Sequence, residues 1–204
     1  MSKTVSNYYT HSHWLYSIFC FSSKSLGMHY GFWTPETKNR EEAILNENQV
    51  VIDIGKITQN SHVLDLGCGI GGTAQFIAKK TGAKVTGISI TESQIALATK
   101  LAARKGLAKF CDFMVMDFMH MKFQDNSFDV VYAIESLCYA EKKETLLQEI
   151  FRVLKPGGTL VVMDGYVKIK PRNQAEQKMQ NGIIWGFKLA RMVSGNMFLS
   201  QMKK

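Results

Sequence analysis

The sequence predicts an α/β domain: a predominantly parallel sheet covered by helices on both faces. Three observations predict it. Short runs rich in Val, Ile, Leu and Phe, at 62–66, 84–88, 110–116, 128–134 and 159–164, alternate with longer segments of helical period, the pattern of successive βαβ units. These runs are largely apolar, as strands buried on both faces are. The first run enters a glycine-rich turn, and sheets of this kind accept ligands at the carboxyl ends of their strands.

Taken in order, residues 36–57 are expected to form a helix feeding the first strand. After 62–66, four glycines in six residues (Gly67, Gly69, Gly71, Gly72) turn the chain into a helix from about Thr73. Thr91 and Glu92 open the next helix, Gly106 stops it, and Ile95, Ala98, Leu101 and Ala102 repeat at helical spacing between them. Leu146, Leu147, Ile150, Phe151 and Leu154 mark a further helix. The run Lys155-Pro156-Gly157-Gly158 ends it and turns the chain into the last strand, because Pro blocks continuation and Gly accepts a positive φ. Residues 172–193 read as helical, with Trp185, Phe187 and Leu189 near the end. The 204 residues suit one domain, divided into an N-terminal helical cap (1–57), a ligand-binding core (58–166) and a partial lid (167–204).

A net charge of +8 raises the question of a polyanionic partner. The lysines are dispersed, in doublets such as Lys79-Lys80, Lys142-Lys143 and Lys203-Lys204, with no basic run interleaved with aromatics. Solvated helix faces, not nucleic-acid binding, are expected. Cys20, Cys68, Cys111 and Cys138 form no CxxC pair and no regular spacing, so neither a metal site nor a disulfide framework is expected, and a reduced, cytoplasmic compartment fits. The apolar run 14–21 is too short to span a bilayer and lacks the flanks of a cleaved leader; it reads as a packing or lid segment.

The glycine turn is the most informative stretch. Gly67, Gly69 and Gly72 satisfy GxGxxG, a spacing that NAD-binding proteins share. Two neighbours argue against NAD. Asp65, two residues before the first glycine, would oppose a pyrophosphate and suit a cofactor carrying an ammonium and a sulfonium. Ser89 stands roughly where an NAD enzyme places Asp or Glu for the ribose hydroxyls.

The run Asp65-Leu66-Gly67-Cys68-Gly69 resembles the first motif of class I S-adenosyl-methionine-dependent methyltransferases, which have a Rossmann-like fold, and later motifs follow in order. Gly87-Ile88-Ser89-Ile90-Thr91-Glu92-Ser93-Gln94 is similar to the branch of sterol C24-methyltransferases, tocopherol methyltransferases and cyclopropane fatty-acid synthases. In that branch a hydroxyl residue and a Gln replace the acidic ribose ligand, a role that passes to Ser89 and Gln94. Asp117-Phe118 resembles the adenine-holding motif. The run 128–136 and then 154–158 complete the series, and the likeness covers roughly residues 25–170. The resemblance implies S-adenosyl-methionine as cofactor, bound by Tyr30, Trp33, Asp65, Gly67, Cys68, Gly69, Ser89, Ile90, Gln94, Asp117, Phe118 and Glu135. On the residues alone, Asp117 also reads as a strand-end turn residue, Gln94 as a solvated first-turn residue, and Cys68 as a small residue of the loop without a base to activate it.

Residues 25–33, Ser-Leu-Gly-Met-His-Tyr-Gly-Phe-Trp, resemble the entry segment that closes over the cofactor in the same branch, and Tyr8-Tyr9 the tyrosines that open it. Aromatic faces and exclusion of water favour a sulfonium methyl donor. Methyl transfer is an in-line displacement, so the protein has mainly to align the acceptor and manage one proton. Glu135, Tyr139 and His29 are the candidate catalytic residues. Relatives commonly have Glu-x-x-Cys-His where this chain has Glu135-Ser136-Leu137-Cys138-Tyr139, so no histidine follows the cysteine.

The expected acceptor is a small apolar or amphipathic molecule, with peripheral membrane proximity if it is a lipid. A cofactor-binding relative without activity, or a truncated one, is the alternative, ahead of an NAD-dependent oxidoreductase. The C-terminal β-hairpin usual in the class is missing from the sequence, so the edge at 159–164 is expected to be open and to favour homo-oligomers.

Overall fold

The computed structural model describes residues 25–166, 171–186 and 195–202. The expectations for Tyr8-Tyr9, the run 14–21, Cys20, Phe187, Leu189 and Lys203-Lys204 lie outside the described residues.

The elements are α1 (Arg40–Gly55), β1 (His62–Leu66), α2 (Gly72–Thr81), β2 (Lys84–Ser89), α3 (Glu92–Arg104), β3 (Cys111–Val115), β4 (Phe128–Ile134), a 3-10 turn (Leu137–Tyr139), α4 (Lys143–Val153), β5 (Leu154–Met163), α5 (Gln174–Gly186) and α6 (Gly195–Met202). The sheet runs β3-β2-β1-β4-β5 with every pairing parallel. The expected α/β architecture is therefore correct, and the chain order reverses between β1 and β4. That reversal opens a crevice at the carboxyl ends of the two strands, where doubly wound sheets bind ligands.

Period-two alternation sends Val63, Val85, Val130 and Tyr132 to one face, where Val51 of α1, Ile77 of α2 and Ala98 and Ala102 of α3 cover them. Leu64, Leu66, Val131 and Ala133 point to the other, under Leu146 and Ile150 of α4 and Phe198 of α6. Two layers of helix thus bury the middle of the sheet, and one charged strand residue is buried with it. Asp65 faces the α1–α2–α3 side and lies opposite Tyr132 in register.

Two boundaries differ from expectation for local reasons. α1 starts at Arg40 and not at 36, because Asn39 is the better cap: its side chain accepts from the Glu42 amide at 2.9 Å, and Glu42 reaches back to the Lys38 amide at 2.8 Å. β5 starts at Leu154, which already pairs with Phe128, and 155–158 is a bulge within the strand, ahead of the pairing of Thr159 with Val130. Gly157 sits at φ 78°, and a Cβ on Gly158 would lie 2.9 Å from the Lys155 carbonyl and 3.0 Å from that of Asp129. Among the described residues no helix is long and apolar enough to cross a membrane.

Candidate active site

A cavity of about 390 Å³ occupies the crevice at the carboxyl ends of β1, β2 and β4. Its floor is the glycine turn. The Gly67 and Cys68 amides both donate to the Ile88 carbonyl, at 2.9 and 3.0 Å, which ties the turn to β2. Gly67 has φ 83°, and a Cβ there would stand 2.5 Å from the Ser136 Cβ; Gly71, at φ 75°, lies as close to the Phe113 ring. Nothing lies within 4 Å of a Cβ built on Gly69, which faces the open cavity. Gly67→Ala combines a left-handed backbone with a clash against a residue whose hydroxyl is bonded to the Leu66 carbonyl. It is expected to destabilise by about 2 kcal/mol or more, read as a lowered urea midpoint with unchanged slope.

Asp65 stands beneath this turn, only 4% exposed, and accepts from the Tyr132 hydroxyl at 2.6 Å. Burial pushes its carboxyl up to about 7, against the pull of the Tyr132 hydrogen bond and of His29. At the end of β2, the Ser89 hydroxyl donates to Gln94 Oε1 at 2.9 Å and accepts from the Thr91 amide at 3.2 Å. Gln94 is thereby a buried wall residue and not a solvated one. Ile90, Met116 and Phe118 continue the wall.

The roof is the strap of residues 25–33. It is pinned to α1 by the Phe32 amide on the Ala43 carbonyl at 2.8 Å and by Arg40 on the His29 carbonyl at 3.1 Å. A third tie crosses the cavity: the Tyr30 amide donates to Glu135 Oε1 at 2.8 Å. Glu135 follows β4 with φ 48°, a conformation that costs a non-glycine residue about 1 kcal/mol. Burial raises its carboxyl to about 6. Beyond it, the Lys143 ammonium donates to the carbonyls of Leu137 and Ala140, and the Cys138 amide donates to Asp164 at 2.8 Å. These bonds hold the turn that brings Tyr139 to the cavity.

Most expected site residues therefore meet on one cavity: His29, Tyr30, Asp65, Gly67, Cys68, Gly69, Ser89, Ile90, Gln94, Phe118, Glu135 and Tyr139. Two do not line it. Trp33 is 55% exposed, its indole N–H turned back onto the Tyr30 carbonyl at 3.2 Å, because the chain bends away at Gly31 (φ 84°). Asp117 accepts from the Met119 amide at 2.9 Å, closing its own strand-end turn. Cys68 is buried and its thiol is pushed well above the usual range, first by burial and then by Asp65, so it is an inert wall residue. Tyr132, Thr91, Arg40 and Ser136 line the cavity without having been singled out, and Glu47 stands behind His29. Only the register of Asp65 with Tyr132 could have flagged the tyrosine, and register is not visible in a run of apolar letters.

The residues present fit a cationic, polar-ended cofactor. Besides the buried carboxylate of Asp65, the Thr91 hydroxyl and His29 Nε2 are buried on the wall without a hydrogen-bond partner, polar atoms that a ligand can satisfy.

Comparison with known proteins agrees. Residues 64–162 match the family model described as a methyltransferase domain. A sterol 24-C-methyltransferase of Neurospora crassa is 44% identical over 136 residues, 67% of this chain and 36% of that protein. The chain belongs to the class I S-adenosyl-methionine-dependent methyltransferases. Cycloartenol-C-24-methyltransferase 1 of Oryza sativa subsp. japonica is 38% identical to this methyltransferase domain over 156 residues, 76% of the chain and 45% of that protein. The chain spans less than half the length of these curated relatives. Among solved structures, the cyclase SpnF superposes with a TM-score of 0.83 at 27% identity, covering 98% of this chain and 69% of the other. Geranyl diphosphate C-methyltransferase of Streptomyces coelicolor gives 0.80 at 19%, a likeness of fold, over 98% and 77%. The methyltransferase fold thus also serves a protein described as a cyclase, so for the reaction the site must be argued by itself.

Proposed function

We propose that this domain transfers a methyl group from S-adenosyl-methionine to a small apolar or amphipathic acceptor. The observation that carries the reading is the buried Asp65 under the glycine turn, on a cavity whose wall also carries the mutually paired Ser89 and Gln94. When bound, the cofactor supplies a methyl group activated on a sulfonium. Asp65 would hold its ammonium end, the amides and open face of 67–69 its middle, Ser89 and Gln94 the ribose, and Ile90 and Phe118 the adenine. The strap would exclude water, with Tyr30 beside the methionine end, while Glu135, Tyr139 and His29 would meet the acceptor. Leu26, Met28, Met116 and Ile134 give the cavity an apolar lining suited to such an acceptor, and the relatives' descriptions as sterol methyltransferases support the same class.

On this reading residues 1–57 act as a cap, 58–166 as the cofactor core and 167–204 as part of the lid. The domain works in the cytoplasm, beside a membrane where the acceptor is a lipid, and copies associate as homo-oligomers. Calorimetric titration with S-adenosyl-homocysteine and with NADH tests the cofactor. Binding of the former in the micromolar range, with none of the latter, is expected; preference for NADH overturns the reading.

A further inference from the structure

We propose that Glu47 is the positioning residue of a buried imidazole on the cavity wall, holding His29 with its proton on Nδ1 and leaving Nε2 as a proton acceptor. The proposal rests on reading the cavity as the methyl-transfer site. Glu47, on α1, and His29, on the strap, are 18 residues apart and are 5% and 8% exposed. His29 Nδ1 is hydrogen-bonded to Glu47 Oε2. An ionised carboxylate can only accept, so that bond requires Nδ1–H and leaves Nε2 with its lone pair. Nε2 is buried and has no partner.

A second, independent feature keeps that edge of the ring clear. A Cβ at residue 27 would fall 2.8 Å from Nε2 and 2.6 Å from Ile44 Cγ2, so glycine at 27 is what leaves Nε2 uncovered by a side chain. Arg40, bonded to the His29 carbonyl at 3.1 Å, fixes the backbone that carries the ring. The imidazole shares the cavity lining with Asp65 and Glu135.

Glu135, the other candidate acceptor of a proton, already holds the Tyr30 amide. His29 is the freer base. As the acceptor atom forms its bond to the methyl carbon and the carbon–sulfur bond breaks, leaving a neutral thioether, the proton on the acceptor atom passes to Nε2. The electron pair of the broken bond to hydrogen stays with the acceptor. The imidazolium so formed faces the Glu47 carboxylate, the arrangement by which a base is oriented and its charged form stabilised by a third group.

The test is a two-bond proton–nitrogen correlation spectrum of imidazole-labelled protein, with the His29 signal assigned by its loss in His29→Gln. The Nδ1–H tautomer is expected in the wild type. Glu47→Leu should shift the population at least tenfold toward Nε2–H, and Glu47→Gln, whose amide oxygen can still accept, should restore Nδ1–H. An Nε2–H ring in the wild type overturns the proposal. So does a tautomer indifferent to Glu47→Leu in a protein with wild-type dispersion. Failure of S-adenosyl-homocysteine to bind while the Nδ1–H tautomer persists sinks the methyl-transfer reading instead.

Discussion

Asp65→Asn is expected to weaken S-adenosyl-homocysteine binding about a hundredfold while making the ligand-free protein more stable at neutral and higher pH. Both effects come from one buried charge. Removing the anionic partner of a desolvated ammonium typically costs about 3 kcal/mol or more, which sets the scale of the affinity loss. The gain in stability follows from linkage. Burial raises the folded-state value from 3.8 to about 7, so the stability that the neutral carboxyl contributes is complete below pH 4 and is lost as pH rises through 7. An amide, which cannot ionise, does not lose it. The variant's advantage should therefore grow between pH 4 and pH 7 and level off above, reaching an order of 2–4 kcal/mol. The Tyr132 hydroxyl can still donate to the amide oxygen, so little new strain is introduced. Thermal unfolding of both ligand-free proteins from pH 5 to pH 9 measures it, and parallel curves would refute a buried ionising Asp65. In the wild type the same coupling should release a proton on binding near neutral pH. Affinity should then rise up to tenfold per pH unit below 7, as seen by titration in buffers of different ionisation enthalpy.

Glu135→Ala is expected to free the strap. The carboxylate of Glu135 is the tie between the end of β4 and residue 30, and hydrogen bonds to a charged group contribute about 1.5–3 kcal/mol. Hydrogen exchange at the Tyr30 amide should accelerate roughly 10- to 100-fold, on the scale of that energy. Glu135→Gln keeps an oxygen acceptor and should lose much less. Glu135→Gly separates the two roles of the residue, since it relieves the φ of 48° and yet leaves the amide unheld. If all three variants exchange at the wild-type rate, the strap is held by α1 alone, through Ala43 and Arg40.

Much of the fold was legible because its signals are local. Five apolar runs, the glycine turn and the caps at Thr91 and Gly106 lie within short windows, and their order in the chain implies parallel pairing. The errors at α1 and β5 were local too: a capping Asn39 outweighed apolar period, and a bulge let one strand extend through a Pro-Gly-Gly turn. The site was legible where it sits on strand ends. Asp65, Gly67, Gly69, Ser89 and Glu135 all lie at or just beyond the last residues of a strand, so a parallel sheet brings them to one edge without further information. Trp33 and Asp117 stand off the cavity, since each belongs to a turn whose direction depends on a few dihedral angles and one hydrogen bond.

Composition, periodicity and motif order by themselves determined the class of fold and placed an acidic residue beneath the glycine turn at one edge of the sheet. Tertiary structure alone decided who partners whom across the crevice: Tyr132 on Asp65, Glu135 on the Tyr30 amide, Glu47 on His29. The reason is physical. A strand end is defined by its neighbours in the chain, whereas a hydrogen bond between residues 18, 67 or 105 positions apart depends on register and on packing across the crevice. No short window of sequence contains either.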